Sequence, residues 1–166
     1  MADRKAMMEA LSYCPSTGLF HWKVSPSQTV KAGERAGTLH PDGYVVIGYK
    51  GRTYRAHRLA WLFIHGALPL VDIDHTDGNG LNNRLDNLRL ATEAENLWNR
   101  KICTRNKSGV KGVCWYAAGQ KWAAQIRKNG VKYFLGYFSD IAAAEKTVKE
   151  ARARLHGEFA NHGGLV

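Results

Sequence analysis

The chain has 166 residues, room for one or two domains around a core of ordinary size, and its 45% hydrophobic content excludes a disordered chain. A formal net charge of +10 and a pI near 9.7 point to an anionic partner. The charge is uneven. Residues 1–101 hold 13 Lys/Arg against 10 Asp/Glu, whereas residues 102–166 hold 11 against 4, so the C-terminal part is the stronger electrostatic anchor. Cys14, Cys103 and Cys114 are odd in number and form no C-x-x-C pair, which excludes a disulfide framework and a cysteine zinc site and reads as reduced thiols. No secretory leader is legible, and the longest apolar run, around residues 59–64, is far too short to span a bilayer. The expectation is a protein without a membrane partner, in the cytoplasm of a bacterial or phage-infected cell.

Residues 2–11 carry Met7, Met8 and Leu11 at near-helical spacing and predict a short helix. Pro15-Ser-Thr-Gly18 is a turn, Leu19–Trp22 a strand, and residues 25–37 a loop. His21 and His40 have no convergent partners in sequence and read as surface or packing residues. The β-rich runs 43–49 and 52–56 flank Lys50-Gly51 and predict a hairpin. Its Lys50, Arg52 and Arg55 are equally readable as phosphate contacts and as a solvated face. Residues 57–65 predict a helix with Leu59, Leu62 and Phe63 on its apolar side, and Pro69 limits its extension.

Residues 72–96 concentrate polar chemistry. Leu70, Val71 and Ile73 suggest a short buried strand leading to Asp74 and His75, and Asp77-Gly-Asn-Gly80 reads as a tight turn. Thr92 with Glu95 three residues later is a capping box that should start a helix, with Asn96 in its first turn or so. Asp74 and Asn96 thus offer oxygen donors suited to one hard divalent cation. His75 beside them is a base able to work near neutral pH, its ordinary pKa being about 6.5. Asn79, Asn82 and Asn83 read as satisfying loop backbone groups. Leu81, Leu85, Leu88 and Leu90 are expected to hold the unit together with Leu97 and Trp98.

These positions, with His57-Arg-Leu-Ala-Trp61, Asn87-Leu-Arg-Leu-Ala-Thr92 and Asn96-x-x-Asn99, resemble the HNH family of ββα-metal nucleases, in the form common among phage and intron-associated homing endonucleases. The resemblance implies that His75 is the general base and that Asn87 braces the loop and orients it. Asp74 and Asn96 become metal ligands, for Mg²⁺ or Mn²⁺ or another divalent cation. Arg84 and Arg89 are candidate phosphate contacts. Asp72 and Asp77 lie outside the family pattern and read as supporting or solvated. His57 is open between a structural role and DNA positioning.

Residues 102–109 read as a polar, basic linker. Beyond it, Lys121–Arg127 and Val131–Gly136 alternate in strand fashion around Asn129-Gly130, a hairpin signal, and a strand near 110–116 completes a three-stranded antiparallel sheet. In the second of these runs Val131, Tyr133 and Leu135 are expected on the core side. Ser139 or Asp140 should cap a helix to about Leu155, with Ile141, Ala144, Val148, Ala151 and Leu155 as its apolar stripe. Lys111-Gly-Val113, Lys121–Arg127, Phe134-Leu-Gly-Tyr-Phe138, Ala142-Ala-Ala144 and Gly157-Glu-Phe-Ala-Asn161 resemble an AP2 DNA-binding domain. The resemblance implies that Gln125, Arg127, Lys132 and Phe134 face the major groove of double-stranded DNA; the alternation puts Lys121 on the same open face, and Tyr116 is a further DNA-binding candidate. Plant AP2 domains carry arginines on the first strand where this chain has Cys114, Trp115 and Tyr116, so no base preference carries over.

The expected fold is α+β: an HNH ββα-metal nuclease domain over 1–101, with its motif core at 57–99 and an N-terminal β-hairpin and helix, then the linker 102–109. An AP2-like three-stranded antiparallel sheet packed on one helix follows over 110–166. The expected activity is metal-dependent hydrolysis of DNA phosphodiester bonds by a homing endonuclease, leaving 5′-phosphate and 3′-hydroxyl ends, the protein acting as a monomer or pairing as a dimer. The competing expectation is a DNA-binding regulator that retains the HNH scaffold without cutting.

Overall fold

The computed structural model describes residues 2–163, with side chains from residue 5 onward. The chain divides into two compact units, Met1–Leu90 and Ala91–Val166. Among the described residues there is no helix long and apolar enough to cross a membrane. Cys14, Cys103 and Cys114 are free thiols.

The first unit begins with helix α1 (Ala2–Ala10), which runs directly into strand β1 (Leu11–Cys14). Strand β1 pairs antiparallel with β2 (Leu19–Trp22), and β2 with the two-residue β3 (Arg35–Ala36). A second small sheet holds β4 (Thr38–Leu39), β5 (Val45–Tyr49) and β6 (Arg52–Arg55) in sequence order. The β5–β6 turn has positive φ at both Lys50 (48°) and Gly51 (74°), the backbone of a two-residue hairpin loop whose twist matches its strands. Helix α2 (Ala56–His65) follows β6 without a loop. It stops at Gly66, whose left-handed backbone (φ 72°) lets its N–H donate to Leu62 O, so it ends three residues before Pro69. Strands β7 (Asp72–His75) and β8 (Leu88–Ala91) form a separate two-stranded sheet.

Met7, Leu11, Phe20, Trp22, Ile47, Leu59, Leu62, Ile73 and Leu88 make one core beneath these elements. Phe20 meets Tyr13 and Phe63 at ring-centroid distances of 4.7 and 5.5 Å. The leucine expectations divide. Leu88 is buried, but Leu81 and Leu90 are exposed, and Leu70 and Val71 stand in solvent ahead of β7. Only Ile73 of that apolar run enters the core, because the strand begins at Asp72 and places 73 inward.

The second unit opens with the six-residue helix α3 (Glu93–Trp98). Thr92 caps it as the sequence predicts: its Oγ1 accepts from Glu95 N (3.3 Å), and Thr92 N donates to the Glu95 carboxylate (2.8 Å). Strands β9 (Val113–Tyr116), β10 (Lys121–Lys128) and β11 (Val131–Phe138) form an antiparallel sheet with β10 central. Asn129 (φ 50°) and Gly130 (φ 78°) make its hairpin turn. Helix α4 (Ile141–His156), capped by the Asp140 carboxylate on Ala143 N (3.1 Å), lies on one face. Val113, Ala124, Ala144 and Val148 are the centre of that contact, small residues that bring helix and sheet close.

Two expectations fail here. Val131 and Tyr133 are exposed, and of the three expected core residues in β11 only Leu135 packs against the core. The register keeps Tyr133 opposite Ile126 on the expected side, where it is nonetheless exposed; Gln125 faces Phe134 while Ala124 faces Gly136, so Leu135 is an extra residue in a bulge. On α4 the buried face continues through Arg152 and His156, with Leu155 only partly covered.

Gly18 ties the β1–β2 turn to the polar loop that follows β7. It has φ +72°, and a Cβ there would stand 2.4 Å from Arg84 N and 2.5 Å from Asn83 C. Tyr13 Oη donates to Asn83 O (2.8 Å) and Leu85 N to Pro15 O (3.0 Å) in the same contact. Gly18→Ala should therefore destabilise the fold by roughly 2 kcal/mol or more, combining a left-handed backbone with a backbone clash. Thermal denaturation checks this; an unchanged melting temperature would contradict it.

Candidate active site

Strand β7 delivers Asp74 and His75 as its last two residues, and each is only 4% exposed. A buried carboxylate needs a counter-charge. Arg89, on the neighbouring β8, supplies it through Nε (2.9 Å) and Nη2 (2.8 Å), both donating to Asp74 Oδ2. The arginine predicted to touch phosphate is thus held by the carboxylate predicted to hold metal.

His75 Nε2–H donates to Asn83 Oδ1 at 3.2 Å, a buried pair. This fixes the tautomer and makes Nδ1 the basic nitrogen of the ring. Burial lowers the His75 pKa below its ordinary value, opposed by Asn83 and by the charges of Asp77 and Asp74. The ring is therefore neutral at neutral pH, the state a proton acceptor requires.

The loop between the strands is closed by amides and one carboxylate. Asp77 accepts from Asn82 Nδ2 (2.7 Å), Asn87 Nδ2 (3.0 Å) and Asn79 N (2.8 Å). Burial alone would raise the Asp77 carboxyl, but these hydrogen bonds bring it below its ordinary value. Asn87 also accepts from Asp77 N (3.1 Å) and donates to Asn82 O (2.8 Å), while its own carbonyl receives Thr76 N (2.8 Å). Asn87 braces the loop; the direct bond to the imidazole comes from Asn83, which also donates to Leu81 O (3.2 Å). Asp72 is exposed, and Arg84 is exposed in an ion pair with Asp86 (2.9 Å).

Two further rings enclose His75. Tyr44 lies 5.7 Å from it, and His57 meets it edge-on at 5.1 Å and 86°. Tyr44 and His57 are themselves 5.4 Å apart, so the three rings form one cluster. Arg55 packs over Tyr44 (5.1 Å) while both of its terminal nitrogens donate to Asp42, which holds that carboxyl well below the usual range. His57 Nδ1 is buried with no hydrogen-bond partner. Burial above all, with the charges of His75, Arg58 and Arg55, pushes the His57 imidazole down to about 3.

Among the described residues no three His, Cys, Asp or Glu side chains converge as a metal cage. The donor chemistry still suits a hard divalent cation, which takes carboxylate and amide oxygens and leaves further positions to water and phosphate. Asp74 is such a donor on unit one. Asn96, half-buried on α3, is such a donor on the second unit.

The second unit carries the other predicted set. The β10 register sets Lys121 opposite Tyr116, Gln125 opposite Phe134 and Arg127 opposite Lys132, so all six share the sheet face that α4 leaves uncovered. Tyr116, Phe134 and Tyr137 are exposed there in a ring cluster with centroid distances of 4.9 Å. Tyr137 was not foreseen. Strict alternation puts it on the core side, and the bulge at Leu135 turns it outward. Asn83 was also missed, because nothing in a run of loop asparagines distinguishes the one that reaches a histidine.

The site is thus a two-stranded sheet ending in a buried acid–imidazole pair, closed by an amide-braced loop. The HNH endonuclease family model matches residues 54–97, from the end of β6 through α2, β7 and β8 to nearly the end of α3. Protein 3.8 of Escherichia phage T7 is 37% identical over 107 residues, 64% of this chain and 88% of its own. A prophage-derived protein of Bacillus subtilis (strain 168) named as an HNH homing endonuclease, YosQ, is 37% identical over 99 residues, 56% of this chain and 54% of its own. The DNA endonuclease I-HmuI of Bacillus phage SP01 is 36% identical over 89 residues, 48% of this chain and 51% of its own. The chain thus spans about half the length of the latter two. No solved structure matches. The chain carries an HNH endonuclease domain over residues 54–97.

The His57 shift fixes the sign of an acid effect. The unfolded imidazole titrates near 6.5 and the folded one near 3, so the unfolded chain binds the extra proton between those values. Stability from this group is full above pH 6.5 and is lost as pH falls toward 3. His57→Phe should keep the ring packing and remove about 2 kcal/mol of the wild-type loss between pH 7.5 and 4.5. Identical acid limbs in melts of the two proteins would contradict it.

Proposed function

We propose that this protein is a metal-dependent DNA endonuclease of the homing type. His75 is the general base, Asn87 braces the loop that carries it, and Asp74 and Asn96 hold the divalent cation, Mg²⁺ or Mn²⁺ or a similar ion. The observation that carries the reading is the neutral, buried His75 beside the Asp74 carboxylate at the end of β7, its tautomer set by Asn83. The bound cation supplies positive charge to the phosphate and its leaving oxygen. His75 takes a proton from a water molecule, whose oxygen attacks phosphorus in line. The bond from phosphorus to the 3′ oxygen breaks, that oxygen takes a proton, and the products carry 3′-hydroxyl and 5′-phosphate ends. One such centre cuts one strand per engagement, so a monomer nicks and a dimer or a second event gives a double-strand break.

The second unit targets the enzyme, in the manner of an AP2-like domain. Its uncovered sheet face combines Lys121, Arg127 and Lys132 with Gln125 and the rings of Tyr116 and Phe134. Cations of this kind neutralise phosphates, and an amide with aromatic neighbours reads base edges. Arg84 and Arg89 remain candidate phosphate contacts, Arg89 from its place beside Asp74. A homing role is supported by the phage and prophage origin of the relatives and by the name of one of them. Such a protein acts in the cytoplasm of a bacterial or phage-infected cell.

Supercoiled plasmid incubated with Mg²⁺ should be nicked by the wild type, protected by EDTA, and left intact by His75→Ala, whose affinity for DNA stays within about twofold. Plasmid nicked equally by His75→Ala would remove His75 from the base role. DNA retained by both proteins and cut by neither, on substrates that include the natural target, would make the protein a DNA-binding regulator.

The sheet face has its own test. Replacing Lys121, Arg127 and Lys132 together by alanine should weaken DNA binding and flatten its salt dependence, by about 0.9 in the log–log slope for each lost phosphate contact. An unchanged slope would take these residues off the DNA.

A further inference from the structure

Helix α3 cannot hold itself. Six residues are far below the ~12–15 at which an isolated helix is even marginal in water, and none of its side chains is buried. Its N-terminus is tied by the Thr92–Glu95 capping box. Its C-terminus presents carbonyls that nothing inside the helix can satisfy, at the negative end of the helix dipole.

Those carbonyls meet one ammonium group. Lys111 Nζ donates to Trp98 O (2.8 Å), to Arg100 O (2.5 Å) and to Asn161 O (3.1 Å), which uses its three protons. The first acceptor is the last carbonyl of α3, the second lies two residues beyond it, and the third belongs to the segment after α4. Asn161 Nδ2 donates to both Asn99 O (2.8 Å) and Asn99 Oδ1 (3.1 Å), just past the helix. Trp98 stacks on His156 at 4.6 Å and 8°, and His156 Nε2–H donates to Arg127 O (2.8 Å) on β10. Lys111 O in turn accepts from Arg152 Nη2 (2.5 Å), whose side chain is buried in α4. Burial pushes the Lys111 ammonium down to about 8, with repulsion from Arg152 adding to it, so the group is charged at pH 7.

We infer that Lys111 is a positioning residue for Asn96, fixing the short helix that carries it to the module whose sheet face grips DNA. The inference deepens the proposed function, since it rests on Asn96 being a metal ligand. Its consequence is that the sheet and the Asn96 oxygen move as one body. A partner that orients a ligand is typically worth 10–100-fold in metal affinity when it is removed.

Lys111→Met keeps the aliphatic stem and deletes the ammonium. Asn161→Ala removes the amide bonds to Asn99 and the acceptor of Gly163 N (2.8 Å), leaves the Lys111 ammonium in place, and serves as the milder variant should the first not fold. Hydrogen exchange of the metal-free proteins should show lost protection confined to residues 93–99, with β10 and β11 unchanged. The Mg²⁺ concentration for half-maximal plasmid nicking should rise about tenfold for Lys111→Met and less for Asn161→Ala, while DNA affinity in EDTA stays within about twofold. Lys111→Arg, which keeps a cation at the helix end, should recover part of the shift. Asn96→Ala is the control. If it too raises the Mg²⁺ midpoint, and Lys111→Met adds nothing on top of it, Lys111 acts through Asn96. Unchanged exchange at 93–99, or loss spread across the whole unit, would overturn the anchor. Local loss of protection with no change in the Mg²⁺ midpoint of Lys111→Met would overturn its part in the reaction. An Asn96→Ala protein with an unchanged midpoint would instead refute the ligand assignment, and the positioning role with it, leaving the anchor as a feature of the fold.

Discussion

The site depends on keeping a carboxylate and an imidazole out of water side by side. Isolated burial of an ionised carboxylate is strongly unfavourable, and an imidazole in the same surroundings resists taking a proton. The chain meets the first demand with Arg89, which bonds to Asp74 through two nitrogens. It meets the second by leaving His75 neutral and giving its Nε2–H an amide acceptor. Both partners come from the loop-and-strand segment that follows the site, so the pair is stable only when that segment is closed.

Closure is the work of the asparagine-rich loop. Asp77 collects three donors, and Asn87 joins the two ends of the loop through its side chain and backbone. The first hairpin then presses on that loop from outside, with Gly18 close enough that no Cβ fits and Tyr13 bonded to Asn83 O. Burial raises the Tyr13 hydroxyl to about 12, which keeps it a neutral donor. On the other side, Tyr44 and His57 wall His75 with aromatic surface. The first hairpin and Tyr44, which lie outside the matched residues 54–97, thereby help His57 to set the position and the dryness of the base.

Local signals in the sequence were reliable where one short segment carries its own reason. The Thr92–Glu95 capping box, the Asn129-Gly130 turn and the alternation of β10 each follow from residues within a few positions, and each appears as expected. The active-site pair was legible because Asp74 and His75 are adjacent and the loop that follows is dense in turn residues. What was hidden depends on contacts across long stretches of chain. Asn83 looks like its neighbours until the fold brings its amide to His75. Tyr44 and His57 reach the site from two other elements. Arg152 and His156 look like solvent residues by type, yet both are buried because α4 turns them toward Lys111 and β10. One bulged residue, Leu135, was enough to move Tyr137 to the opposite face from the one alternation gives.

The central claim is a neutral His75 held with its proton on Nε2 by Asn83. Side-chain ¹⁵N spectra of histidine-labelled protein at pH 7 read the protonation state and the tautomer of each imidazole directly, with Asn83→Ala assigning the signal. The account predicts a neutral His75 with Nε2 protonated and Nδ1 bearing the lone pair, and a change in that signal when Asn83 is removed. A protonated imidazolium, or the opposite tautomer unaffected by Asn83→Ala, would contradict it.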